Sequence, residues 1–116
     1  MEASKETYER AQKKRPWQIA QIKEAFKRMD ALLTPSLPMV APLLTADRET
    51  FGRAGQFMTP MALTSLPAIS IPCGFNSEGL PIGLQIMGNH FEESLILNVA
   101  ASFEAATDFH ERRPPV

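Results

Sequence analysis

Ten prolines in 116 residues set the grain of this chain. Each one fixes φ, removes a backbone donor and pushes the residue before it away from helical geometry. They stand at Pro16, then at Pro35, Pro38 and Pro42, then at Pro60, Pro67, Pro72 and Pro81, and last at Pro114 and Pro115. This punctuation excludes a bundle of long helices and predicts short elements joined by extended connections.

Read between the prolines, the chain has a consistent order. Ser4 to Arg15 holds good helix formers without a continuous apolar stripe, so an exposed helix is expected there. Pro16 suits the first turn of a new helix, whose face is Ile19, Ile22, Phe26 and Met29. Ala31 to Thr34 reads as a buried strand that runs into a loop at Pro35. A short, weak helix is expected from Asp47 to about Met58, restarted by Pro60 through Leu66. Met39, Met58 and Met61 read as core filler. Ala68 to Cys73 and Pro81 to Met87 alternate as strands, and Asn76, Ser77 and Gly79 between them predict a hairpin turn. Asn89 and Glu92 have capping-box spacing before a last helix, with Ile96, Val99, Ala100 and Phe103 on one face and an end near Asp108.

Composition narrows the functional classes. Hydrophobic residues at 44% and charged residues at 22% are ordinary for one globular domain. A net charge of -1 argues against nucleic acid as a partner. The charge is uneven: residues 1–30 hold eight basic and five acidic side chains (+3), and residues 31–116 hold four and eight (-4). The basic run Lys13 to Arg15 reads as a solvated helix end, diluted by Glu6, Glu9 and Glu24. Cys73 alone excludes an internal disulfide framework, and neither a membrane-length apolar run nor a signal-peptide core is present, so a cytoplasmic protein is expected.

The residues offer little independent chemistry. A nucleophile needs a base within reach, and Cys73, His90 and His110 are the only thiol and imidazoles. No signature surrounds Cys73, and a small buried residue at a strand end is the simpler reading. One Cys and two separated His give no zinc spacing, so no metal is expected. Gly52 and Gly55 follow no clear strand and indicate no phosphate loop. Glu92 and Glu93 point to different helix faces and are not an acid/base pair.

Three ordered runs carry a resemblance: Asp30-Ala-Leu-Leu-Thr-Pro-Ser-Leu-Pro, Leu66-Pro-Ala-Ile-Ser-Ile-Pro-Cys-Gly-Phe and Gly79-Leu-Pro-Ile-Gly-Leu-Gln-Ile-Met-Gly. With Phe91-Glu-Glu-Ser-Leu, Ala100-Ala-Ser-Phe-Glu and His110-Glu-Arg-Arg-Pro-Pro, they resemble the C-terminal part of the amidase signature family, which includes amidases and the A subunits of glutamyl-tRNA(Gln) amidotransferases. Tyr8, Arg10 and Phe26 to Asp30 sit where that family has a long helix before a strand.

The resemblance implies an α/β fold: part of a three-layer α/β/α sandwich with a mixed sheet, residues 1–29 leading in by a helix and 30–116 supplying strands, hairpin and C-terminal helix. It implies hydrolysis of amide C–N bonds, or acyl transfer from them, by a Ser–cis-Ser–Lys triad without a cofactor. That triad comes from a Gly/Ser-rich segment upstream of the matched part. The five lysines here all lie between Lys5 and Lys27, and no catalytic residue is assigned. Family relatives line the acyl pocket with the short helix before Leu66, which implies Met58, Thr59 and Ala62 as substrate-pocket residues. Ala62 and Ser65 stand where the family often has Asn and Gly, and no acid lies near Gly55. These departures disfavour a glutamine substrate. The implied partners are the N-terminal portion of an amidase or another copy of this chain, with a small amide as substrate of the complete enzyme. The competing reading is a non-catalytic binding or oligomerisation module. In either case Ile69, Ile71, Ile82, Leu84 and Ile86 are expected to leave a sheet face or edge uncovered.

Overall fold

The computed structural model describes residues 4–114, so Pro115 of the terminal proline pair lies outside the described residues. Helix α1 spans Lys5–Ala25. Ser4 caps it, its Oγ accepting from the Thr7 N–H at 3.2 Å. Strand β1 (Ala31–Pro35) follows, then the short helices α2 (Arg48–Ala54) and α3 (Thr59–Thr64). Strands β2 (Ala68–Phe75) and β3 (Pro81–Gly88) form the hairpin, α4 (Glu93–Ala105) comes next, and a 3-10 turn covers Phe109–Glu111.

Three local expectations change. Pro16 does not restart a helix but sits inside a continuous α1. Its missing N–H orphans only the Gln12 carbonyl, and Gln12 is exposed, so water can satisfy it. The capping box does not form: Asn89 Oδ1 accepts from the His90 N–H at 2.9 Å, and α4 begins without a side-chain cap. Phe91, at φ 66, turns the chain between them and breaks the box register. Met58 is exposed rather than core, on the loop side of α3.

The sheet runs β1-β3-β2. Both pairs are antiparallel, with Leu33 opposite Ile86 and Ile86 opposite Ile69. A mixed sheet is therefore not seen among these three strands, for a topological reason. The crossover through α2 and α3 returns β2 parallel to β1 with a gap between them. The tight turn at Asn76–Gly79 then folds β3 back into that gap, antiparallel to both neighbours. Asn76 Oδ1 accepts from the N–H groups of Glu78 (3.0 Å) and Leu80 (2.8 Å), and Gly79 at φ 80 takes the left-handed position.

Pleating sends Leu84 and Ile86 to one face and Gly83, Gln85 and Met87 to the other. On the first face Ile71, Ile86, Ile96 and Ala100 form the core, with Ala31, Ile69, Leu84 and Val99 packed around them. Burying one such side chain is worth about 1.5–3 kcal/mol. Gly88 lets α4 approach, because a Cβ there would lie 2.7 Å from Ile96 Cγ2. The sheet isoleucines expected to stand uncovered are thus largely covered by α4, and Ile82 is the one left exposed. On the second face Gln85 Nε2 donates to Thr34 Oγ1 (3.2 Å) and to the Phe57 carbonyl (3.1 Å), fixing the crossover to the sheet. Helix α1 packs on α3, where Arg15 donates to the Leu63 carbonyl at 2.7 Å and to Ser65 Oγ at 3.3 Å. The result is helix–sheet–helix layering.

Candidate functional site

A cleft of about 790 Å³ opens at the Pro35 and Pro81 end of the sheet. The segment after β1 supplies Ser36, Leu37 and Met39, the crossover supplies Phe57, and the strands supply Ser70 and Ile82. Ser36 stays at the sheet because its N–H donates to the Gly83 carbonyl at 2.8 Å. That places its hydroxyl against the Ser70 hydroxyl, and the two are hydrogen-bonded. Gly83 lies beneath the pair: a Cβ there would sit 2.7 Å from Ser36 Oγ and 3.1 Å from Ser70 Oγ. The two hydroxyls make a small polar strip inside the cleft's apolar walls, and the buried Gln85, with Thr34, continues the Ser70 row outside the cleft lining.

The cleft lining contains no Lys, His, Asp, Glu or Cys. Neither serine therefore has a base beside it among the cleft residues, and the strip offers two hydroxyls that can orient a polar group. His90 is occupied elsewhere. Its ring lies 3.0 Å from the Thr64 carbonyl, which can only accept, so Nε2 carries the proton and Nδ1 is buried without a partner among the described residues. Cys73 is half-buried at the β2 bulge, and His110 is exposed on the 3-10 turn. Among the described residues no group of three His, Cys, Asp or Glu is placed to hold a metal ion, and no helix is long and apolar enough to cross a membrane.

Met58, Thr59 and Ala62 sit at the start of α3, all three exposed. They do not converge on one cavity. Thr59 lines a second, smaller groove of about 480 Å³ between α1 and α3, beside Trp17, Gln56 and Leu63. Its hydroxyl donates to the Gly55 carbonyl at 2.9 Å. Sequence reasoning missed the Ser36–Ser70 strip. The alternation of β3 placed Gly83 on the right face, but only pairing of segments 34 residues apart brings the two hydroxyls together.

Residues 1–97 match the family model described as Amidase. The chain belongs to the amidase family. Among its amidase relatives, the A subunit of the Geobacillus kaustophilus glutamyl-tRNA(Gln) amidotransferase is 41% identical over 110 residues, covering 92% of this chain and 22% of the relative. The corresponding A subunit from Listeria innocua is 43% identical, with 92% and 23% covered. The fold agrees. The crystal structure of the Thermotoga maritima A subunit superposes with a TM-score of 0.79 at 30% identity over 86% of this chain and 22% of that one. The substrate complex of 6-aminohexanoate cyclic dimer hydrolase gives 0.77 at 26% identity, over 97% and 27%. This chain thus has part of the amidase signature α/β fold and spans about a fifth of the length of the curated relatives it matches.

Proposed function

We propose that this chain is the C-terminal portion of a cytoplasmic amide C–N hydrolase or acyl-transfer enzyme, residues 1–29 leading in and 30–116 forming its sheet and last helix. The observation that carries this reading is the match of 92% of the chain to only 22% of a full amidotransferase A subunit. In the complete enzyme the Ser–cis-Ser–Lys triad lies outside this chain. The lysine, relayed through the bridging serine, takes the nucleophile's proton as the nucleophile attacks the amide carbonyl, and backbone N–H groups hold the oxyanion. The absence of any titratable side chain from the main cleft supports that division of labour. Met58, Thr59 and Ala62, which share no cavity within this chain, then become one wall of the acyl pocket only where the rest of the enzyme closes over α3, the helix that Arg15 ties to α1. Their side chains favour a small or apolar acyl group over glutamine.

The test is amide turnover by the 116-residue chain, alone and co-expressed with the N-terminal portion of an amidase. No turnover is expected from the chain alone, and restored turnover is expected from the mixture. Turnover by the chain alone that Cys73→Ala abolishes would replace this reading with an independent thiol hydrolase.

A further inference from the structure

The segment Ser36 to Ala46 does what a surface loop ordinarily does not. Nine of its eleven residues are apolar and none is charged. Connections on a protein surface are normally polar because water covers them. Here Leu43 is 78% exposed and Leu44 98% exposed. The segment forms no helix or strand. Its start is tied to the sheet by the Ser36 N–H on the Gly83 carbonyl, while near its far end the Ala46 N–H donates to the Leu43 carbonyl at 2.9 Å within the segment itself. Its first half also forms one wall of the main cleft, whose lining carries no charge.

The whole molecule has surface to spare. A folded monomer of 12.9 kDa exposes about 6,300 Å² by the usual size scaling, and this chain exposes 8879 Å². The surplus of about 2,600 Å² is the size of one side of a large permanent interface. The centre of the sheet face under α4 contributes little to it, since Ile71, Ile86, Ile96 and Ala100 are buried there, and only Leu33 and Ile82 at its margin are exposed.

We propose that the Ser36–Ala46 loop and the cleft behind it are the surface on which the remaining portion of an amidase polypeptide docks. This rests on the amidase reading, and it assigns the surface. The occupant follows from length: in relatives of the same fold, the matched part is 22% of a chain that supplies the other four-fifths itself. An uncharged cleft walled by Leu37, Met39 and Val40, continued along the chain by the exposed Leu43 and Leu44, calls for an apolar, uncharged segment of that portion to cover it.

The test is hydrogen exchange on a chimera in which this chain replaces the matched part of the Geobacillus kaustophilus A subunit. Amides from Leu37 to Ala46 are expected to exchange about 100-fold more slowly in the chimera than in the isolated chain. Leu43→Lys with Leu44→Lys is expected to lower the chimera's soluble yield several-fold while leaving the isolated chain's stability unchanged. A chimera with protected β2–β3 amides and an unprotected loop overturns the surface and leaves the amidase reading standing. A chimera protected in neither overturns both. An isolated chain that sediments as a dimer, and as a monomer with the two lysines, makes a second copy the occupant and overturns the proposal.

Discussion

Gly83 shows how one position can be constrained by atoms far away in sequence. Its φ is not left-handed, so its freedom is not what the fold uses; the missing side chain is. Gly83→Ala is expected to destabilise the chain by about 1–3 kcal/mol, because Ser36 Oγ would have to leave the sheet. Urea unfolding of Gly83→Ala, Ser36→Gly and the double variant measures this. The double variant should recover part of the loss, and strict additivity would show that the two residues do not compete for space. The strip built on Gly83 was not legible in the sequence. Alternation along β3 could be read, but the neighbour across the sheet depends on register, which long-range pairing sets.

Helix α1 and helix α2 each carry a prediction that belongs to the element. Proline in a helix interior costs about 3 kcal/mol relative to alanine. Pro16 lies inside α1, on its exposed side. Pro16→Ala is therefore expected to raise stability by about 1–3 kcal/mol, measured as a higher urea midpoint with an unchanged slope. No gain would mean that α1 is already bent at Pro16 in a way that relieves the clash. At α2, Asp47 Oδ1 accepts the Thr50 N–H at 2.8 Å, and this bond holds the carboxyl below its ordinary value of 3.8. A folded-state pKa below the unfolded one adds stability above the unfolded value, and this is lost as pH falls through the folded value. Fraying of α2 is thus expected below about pH 4, seen as faster exchange of the Thr50 amide. Asp47→Asn should remove that pH dependence and keep the cap. Most elements were legible because capping, periodicity and turn chemistry act within a few residues. The failures, at Pro16 and Asn89, came where exposure or a left-handed residue, Phe91, outweighed the local rule.

The molecule as a whole is thin and extended, 47 × 40 × 19 Å with a radius of gyration of 16.7 Å. A compact chain of this length has about 13 Å. Exposed apolar surface of this kind binds hydrophobic dyes. The isolated chain is expected to enhance anilinonaphthalene sulfonate fluorescence while keeping its near-ultraviolet circular dichroism, which separates the effect from a molten state. Leu43→Lys with Leu44→Lys should cut that enhancement by about half, and an unchanged signal would place the exposed apolar surface elsewhere.

By itself the sequence determined the order of elements, the hairpin, the amphipathic face of α4 and the kinship with amidases. These rest on short-range chemistry and on motif order, both of which survive without a three-dimensional context. Tertiary structure decided which apolar face is closed and which stays open. Alternation marks Ile69, Ile71, Leu84 and Ile86 as apolar but cannot say that α4 covers them. Nor can it show that the neutral loop from Ser36 to Ala46 has nothing over it, because coverage depends on how distant segments share a limited area of packing surface.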